Sequence, residues 1–553
     1  QNGAGMAGEL SRGVGHSMQE SGVNKDIDWL HDRYIPVFQA PQQLRVYDMR
    51  ASSRAVQLTV ATLTGLINRP QPQVYLISRR NDTFWLEEVL SSLPHAMSPV
   101  TGDDILKDLL AAYRDKVQGI IIYDPDLADS INIATMLAGQ RDGIIVSPTQ
   151  APEMQAAPYE LPVLVDLRTY GWKSRLQAYR WAKQNLLSQS TPHIVAGLPP
   201  DIPLGVRSFL VATRCFIYWL DSRNFLPDPQ AGWQSERCLM RQILRAFGPH
   251  VAHLGWFINE GTGVMMTSQE AKPVLASDYF ANLEVWTSVQ TPVPAPAVAA
   301  PEIQKTASKT YVSFTFSEGD NLQYIQERML ELWQDPARGS IPLGWTTSLV
   351  LLEAAPAMAA YYARTATASD EFVAGPSGAG YIFPSWWPRD QLSAYLQRTG
   401  QLMERMHLQL LQILDSNILQ NPWLSFIALR NGSGMALINR PVQRRFAQEL
   451  SFYGVRGLLS GAGQSQASWQ NIIDVLVYQN VGLVASVSEA VAAIKEAAAK
   501  QSPPCFLNVY VLAWTMTPAL LKQAMQELGE GYEVVTPGRL IAMIESETAK
   551  SPS

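Results

Sequence analysis

The chain has 553 residues, of which 47% are hydrophobic and 17% charged, with a formal net charge of −6 at pH 7. That length exceeds one hydrophobic core and predicts roughly two to three domains. The acidic balance and the lack of any long Lys/Arg run argue against nucleic acid as the main partner. Cysteine occurs only at Cys215, Cys238 and Cys505, far apart and without CxxC spacing, which excludes a disulfide scaffold and a cysteine-type zinc site. Buried free thiols are expected, with a Cys215–Cys238 disulfide as the alternative. No apolar run reaches the ~18 to 20 residues of a membrane helix, so no membrane span is expected.

Residues 1–27 are rich in Gly, Ser and Gln with little periodicity and predict a flexible tail. A start at Gln1 fits a removed signal peptide, and hence a secreted or cell-envelope location, although an arbitrary starting point fits as well. From 28 to 287, β-type runs alternate with helical patterns: VYDM (46–49), QVYLIS (73–78), GIIIYD (119–124) and GIIVS (143–147). This alternation predicts an N-terminal α/β layered domain. The helix expected over 53–68 carries Val56, Val60, Leu63 and Ile67 on one stripe, a core face. No GxGxxG or GxxxxGK[ST] follows any of these strands, so a nucleotide site has no support and no cofactor is expected.

Residues 288–309 form a Pro/Ala-rich linker. Beyond it, over 310–548, eight strand-then-helix units follow, beginning at YVSFTF (311), PLGWTT (342), EFVAG (371), LSFIAL (424), VRGLLS (455), GLVASV (482), CFLNVYVL (505) and YEVVT (532). Eight units in about 240 residues predict a C-terminal (β/α)8-like barrel, with an irregular barrel lacking one closed strand as the alternative. The helix after 388 is read through Leu392, Leu396, Met403, Met406 and Leu410. In a barrel the loops after the strands converge on one mouth, which here gathers Asn321, Trp345, the 375–388 loop, Arg430, Asn431 and Trp514.

The loop GPSGAGYIFPSWWP (375–388) concentrates Gly, Pro and aromatic residues. Gly378 and Gly380 can take positive φ and admit a ligand close to the backbone, and the prolines limit the loop's conformations. Tyr381, Trp386 and Trp387 then offer flat faces for the C–H face of a sugar ring. The alternative is a structural loop whose aromatics cover the end of a core.

GAGYIFP (378–384) resembles the motif that names the GxGYxYP family, which is classed among the glycoside hydrolases; Phe383 stands where that pattern has Tyr. SFTFSEGDNLQ (313–323) resembles the family's strand and SDGDN-type turn, with Glu318 in place of the first Asp. LTGLINRPQPQVYLI (63–77), YDPDLADSINIATMLAG (123–139) and GWFINE (255–260) resemble its N-terminal region. The resemblance covers roughly residues 40–545 and implies a carbohydrate substrate. Glu260, which ends GWFINE, matches a residue of the family's pattern and would bind substrate only if the two halves pack face to face; a structural acid at a strand end is the alternative.

Most glycosidases use two carboxyl groups, one protonated and one ionised. Glu318 and Asp320, at i and i+2 after a strand, can both project into one mouth, where repulsion would raise one pKa. Their alternative is a helix cap beside a solvated acid. Asp370, Glu371, Asp390 and Glu489 are possible partners. Asp390 is the one nearest the aromatic loop and is taken as the third catalytic candidate, although an acid in the first turn of a helix also suits the helix dipole. His407 is the only barrel histidine, and His250 and His253 lack a third ligand, so no metal is expected; a Ca²⁺ held by oxygen ligands such as Asp320 and Asn321 is the alternative. Two functions follow: a hydrolase acting on an oligo- or polysaccharide through paired carboxyls, or a non-catalytic glycan-binding protein that keeps the aromatic cleft. Oligomeric state is not legible.

Overall fold

A computed structural model of the chain describes residues 27–295, 305–317, 321–416, 437 and 439–548. Strands β1 (Leu44–Asp48), β2 (Val74–Ile77) and β3 (His95–Met97) form a parallel sheet in the order β2-β1-β3. The helix between the first two, α1 (Arg54–Asn68), is the one the Val56/Val60/Leu63/Ile67 stripe predicts, and all four side chains are buried. It starts at Ser53 because that side chain caps the first turn, accepting from the Val56 N–H at 3.4 Å.

A second parallel sheet, β5-β4-β6, joins β4 (Gly119–Ile122), β5 (Gly143–Val146) and β6 (Val163–Asp166). Every residue of β4 and β5 is buried. These Ile/Val runs do not alternate with polar residues because both faces of these parallel strands are covered. A third sheet, β10-β9-β7-β8, comprises β7 (Ile194–Gly197), β8 (Phe216–Tyr218), β9 (Ala252–Gly255) and β10 (Val274–Leu275), with helix α2 (Glu260–Gln269) crossing between the last two. Cys215, Cys238 and Cys505 are free thiols; Cys238 is exposed rather than buried.

The C-terminal half is a closed parallel barrel. Its ring runs through β11 (Thr310–Phe316), β12 (Leu343–Thr347), β13 (Asp370–Ala374), β14 (Leu410–Ile413), β15 (Gly457–Gln464), β17 (Val475–Val484) and β18 (Cys505–Val511), and closes where β18 and β12 both pair with β11. Strand β16 (Ser468–Ile472) is an antiparallel ribbon on β17. The expected eighth unit, β19 (Tyr532–Val534), does not complete the ring. It pairs with Thr310–Val312 at the start of β11, while Thr315 and Phe316 at the end of β11 pair with β12. The eighth strand therefore fills only the lower end of one seam, leaving seven parallel strands around the barrel.

The fourth strand also differs from expectation. The run LSFIAL at 424 lies outside the described residues, and the ring position after β13 is taken by β14. Sequence reading extends the preceding helix to Leu410, but that helix, here α4 (Leu392–Arg405), stops earlier. His407 follows it in the left-handed conformation at φ 58°, ending the helix and redirecting the chain into β14. His407 is exposed and is not in mid-helix.

Residues on the inner face of the ring are polar and mutually satisfied. Ser313 Oγ and Thr315 Oγ1 donate to Asn508 Oδ1 at 2.6 and 3.0 Å, and Asn508 Nδ2 donates to Asn480 Oδ1 at 2.8 Å. Asn480 Nδ2 then donates to Gln412 Oε1 at 2.8 Å and to the Gly461 carbonyl at 3.0 Å. All of these side chains are buried. The outer face of the same strands is aromatic: Phe316 stacks on Trp345 with ring centroids 4.9 Å apart, and Trp333 from the surrounding helix layer meets Trp345 at 5.1 Å. Among the described residues no helix is long and apolar enough to cross a membrane.

The two halves are joined by the 375–388 loop. The Tyr381 N–H donates to the Val274 carbonyl at 2.8 Å, and the Val274 N–H donates back to the Tyr381 carbonyl at 3.0 Å, adding one bridge to the exposed edge of β10. The Phe383 N–H donates to Ser268 Oγ at 2.9 Å and the Tyr381 hydroxyl to Glu260 Oε1 at 3.0 Å, both on α2. From the barrel side, Tyr395 OH donates to the Gly380 carbonyl at 2.7 Å. Gly380 has φ 95°, and a Cβ there would lie 2.8 Å from Pro273 Cβ.

Gly380→Val is expected to destabilise the protein by roughly 1–3 kcal/mol, through strained backbone and overlap with Pro273. Tyr381→Phe should cost about 1–2 kcal/mol by leaving a half-buried Glu260 oxygen without its donor. Urea denaturation checks both; wild-type midpoints in both variants would remove the loop from the interface energetics.

Candidate active site at the barrel mouth

The C-terminal ends of the barrel strands bring together Ser317 and Asn321 after β11, Ser348 after β12, Gly375 to Ser377 after β13, Asp415 after β14 and Trp514 after β18. Asn321 opens the short helix α3 (Asn321–Gln326) with φ 33°. It is buried, and neither its Nδ2 nor its Oδ1 has a hydrogen-bond partner among the described residues; the same holds for Ser348 Oγ on the neighbouring strand end. Unpaired buried polar groups are costly, and such groups after two adjacent barrel strands, without a partner among the described residues, suit a polar ligand.

Asp415 is the acid that the fold places at this mouth. It is fully buried two residues past β14. The Ser385 N–H donates to Oδ1 at 3.0 Å, Ser385 Oγ donates to Oδ2 at 2.5 Å, and the Ser416 N–H donates to Oδ1 at 3.0 Å. Each bond favours the ionised form, yet burial outweighs them and pushes the carboxyl up to about 7. Ser385 belongs to the 375–388 loop, so the segment that clamps the two halves also fixes this acid.

Sequence reading misses Asp415 because it carries the helix after 388 through Leu410 and places the fourth strand at 424, so that residue 415 falls between elements rather than at a strand end. The usable signal was the short apolar run ending in an acid after His407, a strand end rather than a helix interior.

Glu318, Asp320, Arg430 and Asn431 lie outside the described residues. Asp390 is exposed beside Gln391, whose Nε2 donates to it at 3.0 Å, and it is not gathered into the mouth. Asp370 is buried in an ion pair with Arg338 at 2.6 Å and accepts from Trp345 Nε1 at 2.9 Å, at the opposite, N-terminal end of its strand. Glu371 sits at that end too: it accepts from the Gly538 N–H at 2.7 Å, and burial raises its pKa. Glu489 is exposed and accepts from the Ala485 N–H at 2.8 Å, as a helix-start acid does.

The aromatic candidates divide in the same way. Trp345 is fully buried on the outer, helix-facing side of the barrel and is core, not a substrate wall, because strand alternation turns residue 345 away from the lumen. Tyr381 is fully buried in the interface and offers no free face to a sugar, and Glu260 is engaged with it. Gly378 and Gly380 serve close packing rather than ligand approach; a Cβ on Gly378 would lie 2.5 Å from Thr399 Oγ1. Trp387 is buried against Tyr395 at 5.1 Å and His250 at 5.7 Å, while Trp386 is half-buried. Trp514 is the exposed aromatic at the rim, 48% accessible and edge-on to Tyr324.

Histidines do not converge here. His253 is buried against Tyr218 OH at 2.8 Å, with its pKa pushed down to about 3 by burial, and His250 Nε2 lies 3.1 Å from Gln391 Oε1. Among the described residues no group of three or more His, Cys, Asp or Glu side chains could hold a metal ion.

Four family models match consecutive segments of the chain. They are described as GxGYxYP_N 1st domain (43–116), GxGYxYP_N second domain (117–190), GxGYxYP third domain (192–288) and "GxGYxYP putative glycoside hydrolase C-terminal domain" (308–545). Among solved structures, a crystal structure described as a "putative hydrolase" from Bacteroides thetaiotaomicron superposes with a TM-score of 0.77 at 21% identity, covering 94% of this chain and 99% of that one. At that identity the likeness establishes a shared fold. No curated protein matches the chain.

A carboxyl raised in the folded state holds its proton above the pH at which the unfolded chain releases it, so its stability contribution is full at low pH and is lost as pH rises through about 7. Relative to Asp415→Asn, the wild type is therefore expected to lose on the order of 1–4 kcal/mol between pH 4 and pH 8. Glu327, also pushed up to about 7 by burial, titrates in both proteins and cancels in the difference. Parallel stability–pH curves for the two proteins would show that Asp415 titrates normally.

Proposed function

Because the chain belongs to the GxGYxYP family, we propose that its barrel hydrolyses glycosidic bonds of an oligo- or polysaccharide, with Asp415 as the proton-donating acid. The observation that carries this reading is a buried carboxyl with a pKa near neutrality at the C-terminal end of a barrel strand, where (β/α) barrels keep their chemistry. A glycosidic oxygen leaves poorly as an alkoxide, and an acid that keeps its proton near pH 7 can hand it over as the bond breaks. Three donors on its oxygens keep the group oriented and stabilise the carboxylate that remains.

The second carboxyl is assigned to the turn after β11, by Asp320 or Glu318. Strand order supports the pairing. In the ring β11-β12-β13-β14-β15-β17-β18, β14 lies three steps from β11 one way and four the other, as nearly opposite as seven strands allow. Acids from these two strand ends approach a bond from opposite sides, as both retaining and inverting mechanisms require. The separation of the two groups would decide between those outcomes. Asn321 and Ser348 supply uncommitted polar groups for sugar hydroxyls, and Trp514 an exposed aromatic face; Arg430 and Asn431 complete the proposed binding set. A secreted or cell-envelope location would suit a polysaccharide substrate.

The second reading, a glycan-binding protein without catalysis, is favoured by the burial of the aromatic loop residues that would otherwise wall a cleft, and by Glu318 in place of the family's Asp. Screening a glycan panel for new reducing ends separates the two. Asp415→Asn and Asp320→Asn are each expected to lower turnover by ~10²–10⁴-fold with folding retained. Full activity in a folded Asp415→Asn variant would remove that residue from the mechanism, and no released ends on any glycan would favour the binding reading.

A further inference from the structure

We propose a second carbohydrate site, specific for acidic saccharides, in the N-terminal half and remote in sequence from the barrel; its sugar class rests on the reading above. A pocket of about 350 Å³ opens between the helix Arg175–Asn185 and the loop around Trp233. Trp233 is 74% exposed, the most solvent-accessible indole among the described residues. Its backbone N–H donates to the Asp228 carbonyl at 2.9 Å and its φ is 59°, within a turn closed by the bridge between Asp228 and Gln234, so the backbone that carries the indole is held. An exposed indole carried on a held backbone offers a flat apolar face with a polar edge, for which the C–H face of a pyranose is a close match.

Beside it stand two half-buried cations, Arg180 and Lys183, and no carboxylate lines the pocket. Arg180 lies against Gly232, where any Cβ would overlap its Nη1; the glycine makes room for the guanidinium. Lys183 Nζ donates to an amide, Gln242 Oε1, at 3.1 Å, and Gln234 Nε2 donates to the same oxygen at 2.9 Å. The acids nearest along the chain are spent on backbone: Asp228 Oδ1 accepts from the Gln230 N–H at 2.9 Å, and Glu236 Oε2 from the Asp221 N–H at 2.6 Å. In a protein of net charge −6, two unneutralised cations in one pocket call for an anion. Gln184, Gln234 and Gln242 add amides that both donate and accept, which suits vicinal hydroxyls. Together they describe a sugar ring bearing an anionic group, either a uronic-acid carboxylate or a sulfate ester.

Titration calorimetry on the full chain tests this with four probes: a galacturonic-acid hexamer, a sulfated oligosaccharide of similar length, neutral maltohexaose, and ATP. Saturable binding is expected for at least one of the acidic saccharides, and which one identifies the anionic group. That binding should weaken as salt rises, and neither maltohexaose nor ATP should match it. Trp233→Ala should lower the affinity ~10-fold or more, and Arg180→Ala and Lys183→Ala ~5-fold or more each, with unchanged melting temperatures. Trp233→Ala should also leave hydrolysis of short soluble substrates untouched. No binding of either acidic probe, ATP binding as tightly as the saccharides, or undiminished affinity in the three variants would overturn the proposal. Binding is read without turnover and should persist in Asp415→Asn, so a protein that hydrolyses nothing could still pass this test, and an active hydrolase could still fail it.

Discussion

The loop between β13 and α4 must satisfy its buried polar groups in two directions at once, and the arrangement of both halves depends on that constraint. Toward the N-terminal half it borrows the free edge of β10, the Ser268 hydroxyl and Glu260. Toward the barrel it uses Tyr395, Thr399 and, through Ser385, the carboxyl of Asp415. Buried N–H and C=O groups without partners are expensive, so neither set of contacts can be given up while the loop stays buried. Separating the halves would expose Tyr381, Ile382 and Phe383, all fully buried here, on the barrel side, and the edge of the four-stranded sheet on the other. The N-terminal half is thus part of what holds the barrel mouth in shape. Its contribution to any chemistry runs through Ser385, two residues after Phe383.

The barrel interior shows how a seven-strand ring is filled. A lumen lined with Ser, Thr, Asn and Gln is tolerated only when each group finds a partner, and the chain from Ser313 through Asn508 and Asn480 to Gln412 does so across successive strands. Amide side chains suit this role because each carries both a donor and an acceptor, so a linked series need not end on an unpaired atom until it reaches a backbone carbonyl, here that of Gly461. The partial pairing of β19 at the foot of β11 covers the seam at the end away from the mouth. The two ends of the barrel are therefore distinct, and the polar atoms of Asn321 and Ser348 that have no partner among the described residues fall at the end away from β19.

Much of this was legible in the sequence because it rests on local pattern. The buried strands GIII and GIIV, the helix over 54–68 and most of the barrel strands follow from apolar pattern alone. What sequence could not supply was burial created by the other half of the chain. Tyr381 and Trp387 sit in a Gly- and Pro-rich loop, which ordinarily means surface, and only the docking of β10 and α2 turns that loop inward. Trp345 was misplaced for a smaller reason: proximity to a strand end does not say which face a residue takes, and its parity sends it outward to Trp333. Asp415 was lost where helical and extended readings of one apolar stretch compete, and His407 in the left-handed region decided between them.

The position of Asp415 also changes how the acids after β11 are to be understood. On the sequence reading Glu318 and Asp320 supply both roles from one strand end, whereas glycosidases set their two carboxyls on opposite sides of the scissile bond. An acid from β14 removes that difficulty, since it needs only one carboxylate from the β11 turn as its counterpart. Their environments would also differ in the way acid/base pairs require. Asp415 is enclosed and held protonated near neutrality by desolvation. A carboxylate opposite it that keeps contact with water would remain ionised over the same range. The replacement of the family's Asp by Glu at 318 is then less damaging than it first appears, because a single turn no longer has to provide both roles. Under the proposed mechanism Asp320, which retains the family's residue, is the simplest source of the second charge.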